Sequence, residues 1–484
     1  MKTIGNLLAY ILGLTAIILY AVGLALQDVA VLSVATFCAW SMALLFAVCA
    51  KKVNIIYFFF LLTFFIFLLS RVMVRWLRTG EVYTPFCSDV MTVVYTCLIV
   101  SLFGLTVGAT SSRFRFRLGR FATCRSSQCI TKSNKNINIP LLRQLSATIT
   151  VVSGFMSLIV VVERIAFWQF AGFGGALRIS FSSTLPDIIL RFSYIYVMML
   201  CVYLATLPEK YKCIPILIQY IIINALKMYY GSRVDFIVGL MFILVYFLIR
   251  DRLDAENGSS GVKWVGRKEI VITLIAIPIL IILMVFIESY RTHSEFEFKS
   301  FTDTLGDFFE SQGTSIDVIG YTYVYRDKFS QPKFLYLFDR TYEFLTTNPI
   351  ARILTGKHAY AANTVERAQY GTSLGMTLYY YINRNSYLAG NGCGSSYIAE
   401  AWLGYGYFGL FIINFALSRI ISRLNEYKFN KFIPSVICLI FLQSLFFMPR
   451  NNFDYFVDDM ASLTNIFTII ILWIIYRLVQ KTRY

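Results

Sequence analysis

Long apolar runs alternate with shorter polar stretches along most of the chain. About twelve runs approach the roughly 20 residues that a helix needs to cross a bilayer, although the third, eighth and eleventh are shorter. The runs are residues 4–26, 29–49, 53–69, 90–109, 145–170, 188–207, 213–230, 234–249, 270–287, 396–417, 432–447 and 457–476. The pattern predicts an all-α polytopic membrane protein with about 12 transmembrane helices.

The polar stretches between the runs differ in charge. Alternate stretches are rich in Lys and Arg, namely residues 51–52, 113–143, 209–212, 250–268, 419–431 and 477–483. Because positively charged loops remain in the cytoplasm, the pattern places these stretches and both termini there. The longest of them are the predicted cytoplasmic loops 110–145 and 250–269.

Composition agrees with a membrane protein and excludes a set of soluble domains. Of the 484 residues, 57% are hydrophobic and only 15% are charged. Most of the net charge of +17 lies in the short loops, so it indicates topology and no nucleic-acid partner. The sequence has no phosphate-binding Gly-Lys loop, dinucleotide fingerprint or metal-ligand cluster, so we expect no cofactor and no metal.

One polar region, residues 288–395, is much longer than the others and falls on the predicted periplasmic side. It separates nine predicted spans in residues 1–287 from three in residues 396–484. Both histidines of the chain, His293 and His358, lie within it. Its many aromatic residues either form a belt at the membrane interface or contact sugar rings. The region is long enough to fold on its own.

The polar region joins the tenth span at a stretch that carries one acid, Glu400. Ser395 and Ser396 are suited to cap the helix that begins there, and its N-terminus would suit a phosphate. Glu400 lies four residues after Ser396, not the three of a capping box. An acid inside an apolar span is a functional hypothesis by default, although Glu400 could simply cap the helix.

Several arginines lie in or beside predicted spans. Arg71, Arg75 and Arg78 lie in the second predicted periplasmic loop, after the third span, at helical spacing, which puts their guanidinium groups on one face. Arg191 and Arg233 lie within or at the end of later spans, where a charge costs about 2.5 to 3.5 kcal/mol and should face a cavity. Guanidinium forks match phosphate oxygens, whereas the alternative for Arg71 is a side chain that snorkels to the interface.

Three short stretches resemble the O-antigen polysaccharide polymerases of the Wzy family. They are NGCGSSYIAEAWLGYGYFG at 391–409, Gln-Gly-Thr-Ser at 312–315 and Gly-Ser-Arg at 231–233. The resemblance covers roughly residues 190–460 in scattered patches. It implies a membrane glycosyltransferase resembling the GT-C type, with one large periplasmic loop. The implied reaction joins lipid-linked oligosaccharide repeat units at the periplasmic face of the bacterial inner membrane.

The resemblance also implies substrates and partners. The growing polysaccharide on undecaprenyl diphosphate would be transferred to a repeat unit on the same kind of carrier, among membrane lipids and beside a chain-length regulator and a flippase of the same pathway. Such a reaction needs a base at the acceptor hydroxyl and cations at the departing diphosphate. Glu400 and His358 are the candidate bases. The candidate diphosphate contacts are Arg233, Arg191, Arg71 and Arg75.

Two other functions remain open at this point. A flippase for lipid-linked oligosaccharides would share the spans and the intramembrane arginines, but it has little use for a region of about 105 residues outside the membrane. A ligase that moves the finished glycan to another lipid would share both features. Only the resemblance at residues 312–315 and 397–400 favours polymerisation.

Overall fold

The computed structural model describes residues 2–49, 54–111, 138–178, 181–230, 233–256, 263–292, 300–356 and 358–482. Within these ranges every regular element is a helix. The α-helices are α1 Lys2–Leu26, α2 Val29–Cys49, α3 Ile55–Phe64, α4 Ser70–Thr79, α5 Ser88–Thr110, α6 Ile139–Arg178, α7 Asp187–Tyr194, α8 Tyr196–Ala205, α9 Lys210–Lys227, α10 Arg233–Glu256, α11 Arg267–Thr292, α12 Phe301–Gln312, α13 Ser315–Val324, α14 Asp339–Thr347, α15 Pro349–Thr355, α16 Val365–Tyr370, α17 Leu374–Ile382, α18 Arg384–Leu388, α19 Tyr397–Glu426, α20 Phe432–Leu445, α21 Phe456–Ala461 and α22 Leu463–Thr482.

Eight helical segments in the described ranges are long and apolar enough to cross a membrane. They are Ile4–Leu26, Val29–Cys49, Ile55–Thr79, Ser88–Thr110, Ile139–Phe170, Asp187–Ala205, Lys210–Tyr230 and Tyr397–Glu426, and each covers all or nearly all of one predicted span. Three shorter apolar helices, Pro278–Ile287, Phe432–Leu445 and Thr464–Arg477, fall on three further predicted spans. The chain is therefore a polytopic helical membrane protein, and twelve as the number of spans stays a prediction.

The third span is longer than its apolar run. A π-helical segment, Phe65–Leu69, joins α3 to α4 and carries the helix on to Thr79. The helical spacing of Arg71, Arg75 and Arg78 is thus confirmed, but these residues extend the span and do not lie in a separate loop. The continuation, Ser70–Thr79, carries three arginines, so the apolar run ends at Leu69 although the helix does not.

Loops rich in Lys and Arg meet at one end of the helical bundle, which we name the basic end. There the Arg143 guanidinium donates to the carbonyl of Thr206 at 2.8 Å. The Lys210 ammonium contacts the Glu269 carboxylate at 2.8 Å. The charge pattern therefore identifies loops that share one end of the bundle, and the assignment of that end to the cytoplasm stays a prediction.

At the opposite end, the large polar region contains seven short helices, α12 to α18, which we name the cap (described residues 300–356 and 358–395). Helix α12 packs on α4, α13 packs on α5 and α19, and α14 packs on α21. The 3-10 turn Lys333–Phe338 packs on α19. The predicted loop is thus a helical layer that contacts spans from both halves of the chain.

Helix α19 is the central packing element of the bundle. Gly104 and Gly108 let α5 approach it closely, because a Cβ at Gly104 would lie 2.7 Å from the carbonyl oxygen of Phe411. Within α19 the backbone leaves helical geometry at Gly406, where φ is 65°. The buried hydroxyl of Tyr397 bonds to Asn414 at 2.7 Å across this kink. These contacts hold the cap end of α19, which carries Glu400, in a fixed position.

Candidate active site

An open groove of about 1250 Å³ lies between α6, α7 and α22, and α14, α15 and α21 border its cap end. On α22 the lining residues run from Thr464 to Ile475, which is roughly 17 Å of helix at 1.5 Å per residue. Most of the lining is apolar, comprising Ile149, Phe192, Ile195, Phe344, Pro349, Ile350, Val457, Phe467, Ile471, Leu472 and Ile475. The groove therefore offers a long apolar surface that begins at the cap.

Four charged side chains line the groove, and we name them the groove mouth: Arg340, Glu343 and Asp458, where the groove meets the cap, and Arg191 on α7. Arg340 is central, with Nε 3.4 Å from an Asp458 carboxylate oxygen. Its Nη1 lies 3.8 Å from Glu343. These separations exceed hydrogen-bond length, and the buried Nε of Arg340 has no hydrogen-bond partner among the described residues. The guanidinium is therefore surrounded by carboxylates but not closely bound by them.

Buried carboxylates hold the backbone behind the groove mouth. Asp454 accepts hydrogen bonds from the backbone N–H groups of Thr341, at 2.7 Å, and Arg340, at 3.3 Å, at the start of α14. Asp339 is fully buried, and its carboxylate accepts a hydrogen bond from Thr372 at 2.6 Å. Burial raises the pKa of Asp339. The position of Arg340 is thus fixed by its backbone, while its side chain keeps few bonds.

The pKa values of the two groove-mouth carboxylates, Glu343 and Asp458, are shifted in opposite directions. Burial alone would raise the pKa of Glu343, but two bonds from Arg367 at 2.7 and 2.9 Å hold that pKa below its usual value. Partial burial, with the nearby carboxylate of Asp454, raises the pKa of Asp458 to about 6 against the opposing effect of Arg340. The Asp458 side chain remains 44% exposed. A reachable carboxyl that titrates near neutral pH is suited to accept a proton.

Glu400 lies behind this arrangement and is completely buried. It accepts a hydrogen bond from the hydroxyl of Ser395 at 2.6 Å and another from the backbone N–H of Phe453 at 2.9 Å. Ser396 occupies the N-cap position of α19, but its side chain makes no capping bond. Since Ser395 and Ser396 are also buried, this helix end does not present an open phosphate site. Glu400 instead joins α19 to the segment that carries Asp454 and Asp458.

A family model for the O-antigen polysaccharide polymerase Wzy matches residues 7–483, nearly the whole chain. The chain belongs to the Wzy family. No curated protein and no solved structure matches it. The resemblance in the sequence is thereby confirmed, and it identifies a glycosyl-transferring polymerase of O-antigen synthesis whose substrates are lipid-linked oligosaccharides. Likeness to GT-C enzymes stays a prediction.

Among the predicted diphosphate contacts whose side chains the structure describes, only Arg191 lies at the groove mouth. Arg191 lines the groove, and its side chain is 70% exposed with Asp187 at 4.0 Å. Arg233 begins α10, and its side chain lies outside the described residues. His358 is exposed on the chain after α15, and His293 lies outside the described residues. These assignments stay predictions, and the structure brings neither His358 nor Glu400 into the groove lining.

Arg71, Arg75 and Arg78 form a second group of ion pairs, away from the groove lining, which we name the latch. It consists of these arginines of α4 and three acids of the cap, Asp307, Glu310 and Asp317. Arg71 pairs with Asp317, and Arg75 contacts Glu310 at 2.5 Å. Arg78 contacts Asp307 at 2.7 Å and Glu310 at 3.3 Å. The latch therefore connects α4 to α12 and α13.

The Gln-Gly-Thr-Ser motif is a packing joint beside the latch. The Arg450 guanidinium donates to both the backbone carbonyl and the side-chain oxygen of Gln312, at 3.0 Å each. A Cβ at Gly313 would lie 2.6 Å from the backbone nitrogen of Arg71, so only glycine fits there without a shift. The motif thus brings the cap, α4 and the 3-10 turn Met448–Arg450 together.

Sequence reasoning missed the segment 450–458, although it supplies polar contacts to the cap and to Glu400. It reads RNNFDYFVD, and it contains Arg450, Asn452, Asp454 and Asp458. Asn452 bonds to Asp339 at 3.3 Å. The density of polar residues between two apolar runs was an available signal. The boundary drawn at residue 457 instead counted Asp458 as the first turn of a span.

Proposed function

We propose that this protein transfers a growing polysaccharide from undecaprenyl diphosphate to the terminal sugar of one lipid-linked repeat unit. The transfer takes place on the periplasmic side of the bacterial inner membrane. One observation carries the location: the groove mouth places a reachable carboxyl, Asp458, beside Arg340 at the end of a long apolar groove. Membership of the Wzy family supports the reaction type.

The reaction forms one glycosidic bond and breaks one bond between sugar and diphosphate. The acceptor hydroxyl attacks the anomeric carbon, its proton passes to a base, and the electron pair of the broken bond leaves with the diphosphate. We assign the base to Asp458, because its pKa of about 6 leaves it ionised at neutral pH and still basic enough to take the proton. Energy comes from the activated diphosphate linkage, so the step needs no nucleotide.

We assign Glu400 a positioning role in this reaction. It touches Ser395 and Phe453 and is closed off from the groove, so it acts through the segment that carries Asp458. His358, which the sequence offers as a second base, stays a candidate on an exposed stretch. Arg233, Arg71 and Arg75 likewise stay candidates for the diphosphate, although Arg71 and Arg75 already pair with acids.

Surface polysaccharide from a strain lacking this protein tests the proposed function. We expect a gel on which the ladder of long chains is lost while lipid cores with a single repeat unit remain. Re-expression of the wild-type protein should restore the ladder. Lipid cores without any repeat unit would instead indicate a flippase or a ligase and would overturn the proposal.

A further inference from the structure

We propose that the groove binds the hydrocarbon chain of one polyprenyl diphosphate carrier, with the diphosphate held at the groove mouth by Arg340 and Arg191. This inference rests on the proposed function, since it assigns the carrier part of the substrate to one place in the fold. It differs from the sequence-based assignment because it adds Arg340 to the diphosphate contacts and makes no use of the latch arginines.

The shape of the groove fits a long hydrocarbon chain. Its volume of about 1250 Å³ exceeds the roughly 300 to 1,000 Å³ typical of sites for drug-sized ligands. The lining residues of α22 recur as Phe467, Thr468, Ile471, Leu472 and Ile475, a stripe along one helical face. A single extended hydrocarbon chain can follow the whole length of this stripe while the polar end of the ligand stays at the cap.

The charges at the groove mouth fit a diphosphate. Glu343 is already neutralised by Arg367, which holds both of its oxygens at 2.7 and 2.9 Å. Arg340 has no comparable partner, because its contacts with carboxylates are 3.4 to 3.8 Å long and its buried Nε is unbonded among the described residues. Within the described ranges, Arg71 and Arg367 also have an unbonded buried Nε, but each holds a carboxylate at short range through its Nη atoms, which Arg340 does not. Arg340 therefore has donors left for a ligand acceptor. Arg191 lines the same groove, so the groove offers two guanidinium groups to the two phosphates.

The surface beside the groove fits entry from the membrane. Ile350 of α15 lines the groove, and two more residues of the same short helix, Ile353 and Leu354, are 86% and 81% exposed. Leu345, near the end of α14, is 63% exposed. Apolar side chains clustered at such exposure mark an interaction surface, and next to apolar α22 that surface faces lipid. The carrier therefore enters sideways between α15 and α22.

The groove also delivers its ligand to the proposed base. Arg340 Nε lies 3.4 Å from Asp458, so a diphosphate on Arg340 places the attached sugar next to that carboxylate. An ordinary two-chain phospholipid offers one phosphate to the two arginines and no sugar to the base. The groove mouth therefore fits a polyprenyl diphosphate better than a phospholipid, and competition by a phospholipid would show the opposite.

Photolabelling of the purified full-length protein tests the site. The probe is a polyprenyl diphosphate with a benzophenone on its chain, and labelled peptides are mapped after irradiation. Ile471→Trp fills the groove, whereas Ile470→Trp changes the neighbouring residue of α22, which is 47% exposed and does not line the groove. We expect labelling of residues 464–475 that falls at least about tenfold in Ile471→Trp and is unchanged in Ile470→Trp.

Two further measurements test which residues and which lipid headgroup the site requires. Arg340→Lys keeps the charge but loses the bidentate fork, so we expect about tenfold weaker binding, with the exposed Arg352→Lys on α15 as the control. Excess undecaprenyl diphosphate should abolish the labelling, and phosphatidylglycerol at the same concentration should not.

Equal labelling of wild type and Ile471→Trp, labelling confined to other helices, or equal competition by phosphatidylglycerol would each overturn the assignment. The binding assay contains no acceptor sugar and measures no polymerisation. A failed carrier site therefore shows in the labelling map, while a failed polymerase assignment shows on the polysaccharide gel.

Discussion

The latch and the groove mouth contain the same types of side chain but hold them at different distances. Both set arginines against carboxylates where the cap meets the spans. In the latch, Arg75 and Arg78 contact their acids at 2.5 to 3.3 Å. At the groove mouth, Arg340 and Arg191 contact theirs at 3.4 to 4.0 Å. The latch arginines thus have their partners within the protein, whereas the mouth arginines are available to a ligand.

Under the proposed function, this difference in contact distance separates structural arginines from those that bind substrate. A charge-assisted hydrogen bond has a length of about 2.7 to 2.9 Å, so a guanidinium with bonds of that length has little left to offer a substrate. A guanidinium held by its backbone but loosely contacted by its neighbours is ready for an incoming anion. Arginines at helical spacing on an exposed face are therefore weaker candidates than one arginine on a short helix of the cap.

The largest expected effect is on the polymerisation rate, when an acid of the groove mouth is changed and compared with an acid of the latch. Asp458 and Asp307 are similarly exposed, at 44% and 40%, and each pairs with an arginine. Asp458→Asn removes the proposed base, so we expect polymerisation to fall by about 10²- to 10⁴-fold. Asp307→Asn should keep normal chain synthesis per molecule. The measurement is the initial rate of chain extension by purified protein in liposomes, and equal rates for the two variants would remove Asp458 from the reaction.

A second expected effect is on the extension rate, when an arginine of the groove mouth is compared with an arginine of the latch. Arg340→Lys retains a positive charge but loses the fork, and bonds to charged groups contribute about 1.5 to 3 kcal/mol, so we expect a loss of roughly 10- to 100-fold in the extension rate. Arg78→Lys, in the latch, should change the rate by less than about twofold. A comparable loss in Arg78→Lys at normal protein abundance would instead place the diphosphate on the face of α4 that the sequence suggests.

Much of the bundle could be predicted from the sequence, and the reason is physical. A run of about 20 apolar residues has few alternatives to a membrane helix, so the eight long spans coincide with predicted ones. The ion pairs could not be predicted, because Arg71 and Asp317 lie 246 positions apart and only the folded cap brings them together. Whether Arg71 is bound or free depends on that partner and not on its own surroundings in the chain.

The candidate site shows the same limit. The sequence singles out Glu400 as an acid in an apolar span. In the structure, its carboxylate accepts two hydrogen bonds and is fully buried. The sequence pattern does not single out Asp458, because this residue lies at the start of the apolar run 457–476, which predicts a span. Exposure and the distance to Arg340 distinguish these two acids, and neither property is encoded locally.

A third prediction tests whether Glu400 acts through its bonds or through its charge. Glu400→Gln can still accept from Phe453 and can donate to Ser395, so we expect normal protein abundance and a rate within about threefold of wild type. Glu400→Leu leaves two buried groups unpaired at about 1 to 3 kcal/mol each, so the protein should be depleted from the membrane. Collapse of polymerisation in Glu400→Gln at normal abundance would contradict the positioning role and support direct catalysis.

A fourth prediction concerns the latch as a structural device. Glu310 contacts both Arg75 and Arg78, and these arginines are 46% and 31% exposed, so Glu310→Gln should lower the free energy of unfolding by about 1 kcal/mol. The thermal midpoint of the purified protein should fall by a few degrees while the rate per folded molecule is unchanged. Glu366→Gln, an exposed acid at the start of α16, is the control and should change neither quantity.

A fifth prediction concerns the pH dependence of the wild-type rate, which distinguishes the mouth carboxyl from the latch acids. The pKa of Asp458 is raised to about 6, so the folded protein holds this proton more tightly than the unfolded chain, where the pKa is about 3.9. The contribution of Asp458 to stability is therefore present below about pH 4 and is lost as the pH rises through 6.

The rate of catalysis depends on pH in the opposite direction, because only the deprotonated carboxylate accepts the hydroxyl proton. We expect the extension rate to be constant above pH 7, half-maximal near pH 6 and about tenfold lower at pH 5. The residual rate of Asp458→Asn should lack this acid limb, whereas Asp307→Asn should retain it. An unchanged limb in Asp458→Asn would show that another group sets the pH dependence and would leave the groove mouth without its base.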